Sequence, residues 1–277
     1  MSTPPSPFKP CRVAGWRGYV REDWIERARA DDPLTWWRQW PSQLVRDRAT
    51  AQTWCAQTEH GRFYVKHVRA LKDDPRKGHG WWDDLRWAVG PSRAARVARV
   101  TRQLERAGIA VPAIVLALRR RQAGSAEELL VSEAAIGHPL GKTLRDPGPL
   151  DTSRQALLET LGRSLAALHQ AGFTHGDLNP TNVLLSLDLA RLIYLDNERT
   201  RRWWPRPPAK LRRRNLAQML YRLLPALDYR EAQRFLDSYW QAMDIEGKKR
   251  RREHLRVLRW VRLRFQQRRR PYARHQR

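Results

Sequence analysis

Two short apolar runs, Val183-Leu184-Leu185 and Leu192-Ile193-Tyr194-Leu195, are each joined to a cluster of acids and amides, as HGDLNPTNVLL and RLIYLDNERTRR. That pairing constrains the fold more than any other feature of the chain. Runs this short and this apolar read as buried strands, whereas Asp177, Asn182, Asp196 and Glu198 are costly to bury without partners. The strands therefore belong inside and the polar groups at a cleft. A hairpin between the runs returns Asp196, nineteen residues after Asp177, to the same place.

The rest of the chain divides around Gly137. Before it, alternating segments at Thr53 to Gln57 and Arg62 to Val68 flank Glu59-His60-Gly61 and predict a β-hairpin with Lys66 on its second strand. A helix follows from Ser92 to Ala107, with Ser92 as N-cap, an apolar stripe through Ala94, Val97, Val100 and Leu104, and Gly108 as stop. Ile114 to Leu118 and Glu128 to Ser132, separated by Gly124-Ser125, read as a second antiparallel pair. After Gly137, Thr152 to Ala171 puts Leu157, Leu158, Leu161, Leu165 and Leu168 on one face and stops at Gly172, and the chain is helical again from Leu211. The expectation is a bilobal α+β fold: a β-rich N-lobe over 43–136, a helical C-lobe over 137–247 and a basic C-terminal helix or tail over 248–277. Residues 1–42, with Trp16, Trp24, Trp36, Trp37 and Trp40, show no clean period and read as an extension of unassigned role.

Phosphoryl transfer asks a protein mainly for positioning and charge neutralisation: a base at the acceptor hydroxyl, oxygen ligands for magnesium, and a cation on the nucleotide phosphates. His175, Asp177 and Asn182 stand in the pattern H-x-D-x-x-x-x-N. Asp177 is then the catalytic base and Asn182 a ligand for a hard cation, with Asp196 as second ligand. Lys66, mid-strand in FYVKHV, would reach the phosphates of ATP, and Leu130 to Ala134, including Glu133, would form a hinge offering backbone groups to the adenine. Taken singly, Asp177 and Asn182 could cap turns and Lys66 could be an edge-strand lysine. The whole set in order favours the chemistry.

At these residues the chain resembles the lipopolysaccharide core sugar kinases, the Kdo and heptose kinase family within the protein-kinase-like superfamily. The resemblance runs from about Arg46 to Leu224, on FYVKHVR, SRAARVARVTRQLERAGIAVP, LVSEAAIG, LHQAGFTHGDLNPTNVLL, LIYLDNERTRR and RRRNLAQMLYRL. It implies transfer of phosphate from ATP, with Mg2+, to a Kdo or heptose hydroxyl of the lipid A core at the cytosolic face of the inner membrane. Three departures accompany it. Val97 stands where the family's helix supplies a Glu to pair with the strand Lys, and Glu105 is the helix's sole acid. The metal triplet reads Asp196-Asn197-Glu198, in which Glu198 keeps a second carboxylate. No glycine-rich loop precedes Lys66, so phosphate cover would fall to backbone amides, Thr50 or Thr53.

Composition narrows the partners. The net charge of +26 requires an anionic one, and residues 248–277 supply half of it, with fourteen Lys or Arg against Glu253 alone. Leu255, Val257, Leu258, Trp260, Val261 and Phe265 alternate with arginines there, which fits a helix lying on anionic inner-membrane lipid or a final packing helix. An Arg-rich nucleic-acid-binding protein is the rival reading, but it leaves the His175 to Asp196 pattern unexplained. An aminoglycoside kinase would want an acidic acceptor cleft, which the charge opposes, and a weak or inactive kinase-like protein follows if Val97 costs the chain its lysine partner. The longest apolar stretch, Ile109 to Leu118, contains Pro112 and falls short of the ~20 residues of a span. The opening MSTPPSPFKP does not resemble a secretory signal, so a cytosolic protein is expected. Cys11 and Cys55 are expected to be free thiols.

Overall fold

The computed structural model describes residues 7–30, 32–48, 50–71, 92–122, 125–146 and 153–269. The chain forms two compact units, Met1–Arg102 with Pro112–Ala135, and Gln103–Val111 with Ile136–Arg277.

The first unit is built on a seven-stranded antiparallel sheet of order β1-β2-β6-β7-β5-β4-β3. Its strands are β1 (Phe8–Val13), β2 (Trp16–Arg21), β3 (Ser42–Arg48), β4 (Ala51–Thr58), β5 (Gly61–Leu71), β6 (Ile114–Gln122) and β7 (Ser125–Glu133). The expected hairpin is β4–β5, closed by Thr58 opposite Gly61, whose φ of +112° is open to glycine alone without strain. The second expected pair is β6–β7. Gly124 of its turn and the polar segment before Ser92 lie outside the described residues.

The opening residues are part of this sheet. Phe8–Val13 and Trp16–Arg21 pair with each other and β2 pairs with β6, so the stretch read as an extension supplies two of the seven strands. Its tryptophans build the core of one sheet face. Trp24 meets Phe63 at 5.0 Å and Trp36 at 5.3 Å, both edge-on, and Trp37 meets Trp54 at 5.2 Å. Trp16, Val20, Val65, Leu118, Leu129 and Val131 complete that cluster. Between β2 and β3 the chain runs through α1 (Ile25–Ala30) and two 3-10 turns, which is why the tryptophans follow neither a strand nor a helix period.

The other face is covered by α2 (Arg93–Arg106), whose Ala94, Val97 and Ala98 pack with Ile114 and Ala117. Ser92 caps it as expected, accepting from the Ala95 N–H at 3.2 Å. The buried Glu128 carboxylate reinforces the cap by accepting the N–H groups of Arg93 at 2.8 Å and Ala94 at 3.2 Å.

The second unit is helical: α3 (Leu140–Thr143), α4 (Arg154–Gln170), α5 (Ala209–Leu223), α6 (Tyr229–Ala242) and α7 (Gly247–Arg269). The leucines predicted for one face of α4 are all buried. α4 lies so close to α6 that a Cβ on Gly162 would stand 2.7 Å from the Phe235 carbonyl oxygen. α7 packs on α5 through Val257 and Val261, and Arg213 pairs with Glu253 at 2.8 Å. Short strands carry the polar clusters: β8 (His138–Pro139), β10 (Val183–Leu185) and β11 (Leu192–Tyr194) form one small sheet, and β9 (Phe173–Thr174) pairs with β12 (Arg201–Arg202). Cys11 and Cys55 are both free, and among the described residues no helix is long and apolar enough to cross a membrane.

Candidate active site

α4 ends at Gly172, whose φ of +89° turns the chain into β9 and then into the loop that carries His175, Asp177 and Asn182. Antiparallel pairing of Val183 with Tyr194 brings the start of β10 against the end of β11, and Asp196 follows directly. Asp196 itself adopts a left-handed conformation, φ 51° and ψ 56°, which aspartate tolerates better than most residues and which begins the turn over Asn197–Arg199. The hairpin inferred from sequence is therefore present.

His175 locks the two clusters together. Its Nε2–H donates to the Leu195 carbonyl oxygen at 2.8 Å, and its Nδ1 accepts the Asp177 N–H at 3.3 Å. The Leu195 N–H in turn donates to the Asn182 carbonyl at 2.8 Å. A ring that donates at Nε2 and accepts at Nδ1 is neutral, and burial agrees by pushing the His175 pKa below the usual imidazole range. Gly176 permits this closeness, since a Cβ there would sit 2.2 Å from Arg199 Cβ and 2.5 Å from the Arg199 carbonyl oxygen.

Beneath His175 stands Asn215 of α5, buried on the helix's apolar side. Its Oδ1 accepts the His175 N–H at 3.1 Å and a bond from His169 Nε2 at 3.2 Å, and its Nδ2 donates to the His175 carbonyl at 2.6 Å. The Tyr239 hydroxyl meets His169 Nδ1 at 2.8 Å. Burial drives the His169 pKa down to about 3, against the Asn215 hydrogen bond that favours its charged form. Sequence reading missed Asn215. Its signal was a polar residue in register with Leu216, Met219 and Leu220 on a buried helical stripe.

The side chains left facing outward suit phosphoryl transfer. Asp177 is exposed, and Asn182 Nδ2 donates to its carbonyl oxygen at 3.0 Å and its Oδ2 at 3.5 Å. That orientation leaves Asn182 Oδ1 without a hydrogen bond among the described residues. The Asp196 carboxylate is exposed and likewise uncommitted among them, while Asn197 turns inward to bond the Tyr194 carbonyl at 2.9 Å and Thr200 at 3.1 Å. No group of three His, Cys, Asp or Glu side chains among the described residues is arranged for a metal ion. The donors to hand are the amide oxygen of Asn182 and the carboxylates of Asp196 and, two residues on, Glu198. All are hard oxygen ligands, which fits Mg2+.

A cavity of about 220 Å³ opens beside Asp177, lined by Asp177, Leu178 and Asn179 of the loop, Gln218, Tyr221 and Arg222 of α5, and Arg264 of α7. The four helical residues were not foreseen from sequence.

Lys66 and Glu133 lie in the first unit. Lys66 pairs with Leu130 across β5 and β7 and so occupies the sheet face that α2 covers. Val97 is buried at 4% exposure in that cluster, so the residue at the family's glutamate position is a core side chain. Glu133 closes β7 with its carboxylate on Arg21 at 2.6 Å, and its N–H is already given to the Ala113 carbonyl at 2.9 Å.

The fold is of the protein-kinase-like class. A model of the lipopolysaccharide kinase (Kdo/WaaP) family matches residues 35–239, and the chain belongs to that family. Its members are kinases that phosphorylate lipopolysaccharide core sugars. Among solved structures, WaaP in complex with acyl carrier protein matches with a TM-score of 0.63 and 21% identity, covering 90% of this chain and 97% of that one, a likeness of fold. No curated protein matches the chain.

Proposed function

We propose that the chain transfers the γ-phosphoryl group of ATP to a hydroxyl of a Kdo or heptose residue in the lipopolysaccharide inner core. Asp177 takes the hydroxyl proton, and the Asn182 amide keeps that carboxylate oriented. Asn182, Asp196 and Glu198 would hold Mg2+, which when bound would neutralise charge on the phosphates. Lys66 would support the α- and β-phosphates, and the backbone at Glu133 would meet the adenine. The observation that carries this reading is the His175 clamp, which ties the Asp177 loop to the segment before Asp196. With labelled ATP and a panel of lipid A core acceptors, Asp177→Asn and Asp196→Asn should each lower turnover by about 10²- to 10⁴-fold with the fold intact. Transfer within threefold of wild type in either variant removes the assignment.

The reading extends to location. The outward side of α7 has a concavity of about 410 Å³ lined by Lys248, Arg251, Arg252, Leu255, Arg256 and Arg259. Anionic lipid at the cytosolic face of the inner membrane would be attracted by about 1 kcal/mol per cation near the surface. Acyl carrier protein, the partner held by the solved WaaP, is a second occupant to test on the same face. Vesicle binding that falls as salt rises supports the lipid; binding confined to acyl carrier protein replaces it.

A further inference from the structure

We infer that the cavity beside Asp177 is an acceptor-side anion site, in which Arg222 and Arg264 grip a carboxylate or phosphate borne by the sugar whose hydroxyl meets the base. The inference rests on the kinase reading and specifies its substrate. Three observations lead to it.

First, Asp177 is the sole member of the catalytic set that lines the cavity, since neither Asn182 nor Asp196 does. Whatever fills it meets the base and not the cation ligands, which is the position of the acceptor rather than of the nucleotide. Its volume of about 220 Å³ lies below the ~300–1,000 Å³ of pockets that engulf a whole drug-sized ligand, so it suits part of a larger acceptor.

Second, its charge is unbalanced. Some arginines of this unit have carboxylate partners, among them Arg154 with Glu231, Arg213 and Arg256 with Glu253, and Arg250 with Asp237. Arg222 and Arg264 have none among the described residues, and Arg222 rests 5.8 Å from the Tyr221 ring centroid. Two guanidinium groups face one carboxylate. A guanidinium fork matches carboxylate or phosphate oxygens in two parallel bonds, and a second anion would restore the balance.

Third, the wall is built by two helices that hold each other. Gln218, Tyr221 and Arg222 stand at i, i+3 and i+4 on one face of α5. Tyr221 meets Phe265 of α7 edge-on at 4.6 Å, one residue from Arg264. The basic C-terminal helix thus contributes directly to the pocket that holds the base.

The test uses the full chain and calorimetric titration with paired probes: free Kdo against its neutral carboxamide, and a heptose phosphate against the free heptose. Each acid should bind about tenfold or more tightly than its neutral twin, as expected for charge-assisted bonds to arginine. In the Arg222→Gln/Arg264→Gln double variant the preference should shrink to within about threefold, and the Arg222→Lys/Arg264→Lys pair should recover part of it. Arg230→Gln, on exposed surface away from the cavity, should keep the full preference. A carboxylate ligand should give a pH-independent preference between pH 6 and 9, whereas a phosphate should strengthen as pH rises through its second pKa, about 6. Equal binding of acid and neutral probes, or a preference untouched in the double variant, overturns the inference. Anion preference without phosphotransfer to any core acceptor sinks the kinase reading and leaves the pocket standing.

Discussion

Replacing Asn215 with alanine removes a side chain that touches no reactant yet should affect both stability and turnover. It strips partners from three buried groups: the His175 N–H, the His175 carbonyl and His169 Nε2, at 3.1, 2.6 and 3.2 Å in the native fold. Asn215, His169 and His175 are each at most 2% exposed, so water cannot readily replace what is lost. An unsatisfied buried polar group costs about 1–3 kcal/mol, and because the three share one network the total should be about 3–5 kcal/mol rather than a simple sum. That is a large part of the roughly 5–15 kcal/mol that holds a domain folded. Asn215→Asp keeps the acceptor for His169 and for the His175 N–H but loses the donor to the His175 carbonyl and to Gln218, and sets a buried carboxylate oxygen where a donor stood 2.6 Å from that carbonyl, so it should be no milder than alanine. Urea denaturation followed by tryptophan fluorescence gives both values. Under conditions where the alanine variant is still folded, a displaced His175 misplaces Asp177 and turnover should fall on the order of 10²-fold. A stability loss below about 1 kcal/mol with normal turnover would refute the role given to this asparagine.

Other expectations concern the same framework. The unfolded chain protonates its histidines below about pH 6.5, whereas His169, with its pKa near 3, and His175, shifted the same way, stay neutral in the folded protein. The unfolded state then binds more protons, so stability should be flat above about pH 7 and fall on acidification, His169 alone contributing about 2 kcal/mol between pH 6.5 and 5. Urea midpoints at pH 7, 6 and 5 check this, and His169→Gln, which can keep both hydrogen bonds, should flatten the slope; an unchanged slope counts against a buried neutral His169. Gly176→Ala sets a Cβ 2.5 Å from the Arg199 carbonyl oxygen, so the loop must shift and turnover should drop by at least about tenfold; wild-type rates would show that the loop position is not critical. Glu128→Ala leaves the Arg93 and Ala94 N–H groups without their carboxylate and should destabilise the first unit by about 1–3 kcal/mol, measured by urea denaturation; no change would mean that Ser92 suffices as cap.

What was legible in the sequence was whatever repeats or stays local. The hairpin at Glu59 to Gly61, the leucine face of α4, the Ser92 cap and the short strands beside the acids each depend on residues within one element. The first two strands were not legible because β1 pairs with β2 and β2 with β6, about a hundred residues away, and the tryptophans of this stretch serve one core from strands, turns and a short helix. Asn215 and Arg264 escaped for the same reason: the partner of each side chain is set by helix packing, and neither forms a spaced motif with Asp177. The outer half of α7 was half legible. Its arginines were plain, but Val257 and Val261 had first to be placed against α5 before the remaining positions could be assigned to solvent or to the pocket.

The charge excess and the neutral clamp are connected. A net charge of +26 makes an imidazolium costly wherever cations are near, and Arg212 adds to burial in lowering the His169 pKa. The chain therefore keeps neutral imidazoles under the Asp177 loop with little help from carboxylates, at a point where a charged His175 would turn a ring N–H against the Asp177 amide. The same cations remain available outside, where Arg222 and Arg264 have no carboxylate among the described residues to satisfy them. Under the proposed function, a neutral interior holding the exposed Asp177 beside an unbalanced cationic wall would select acceptors by their negative charge while leaving that carboxylate free to take a proton.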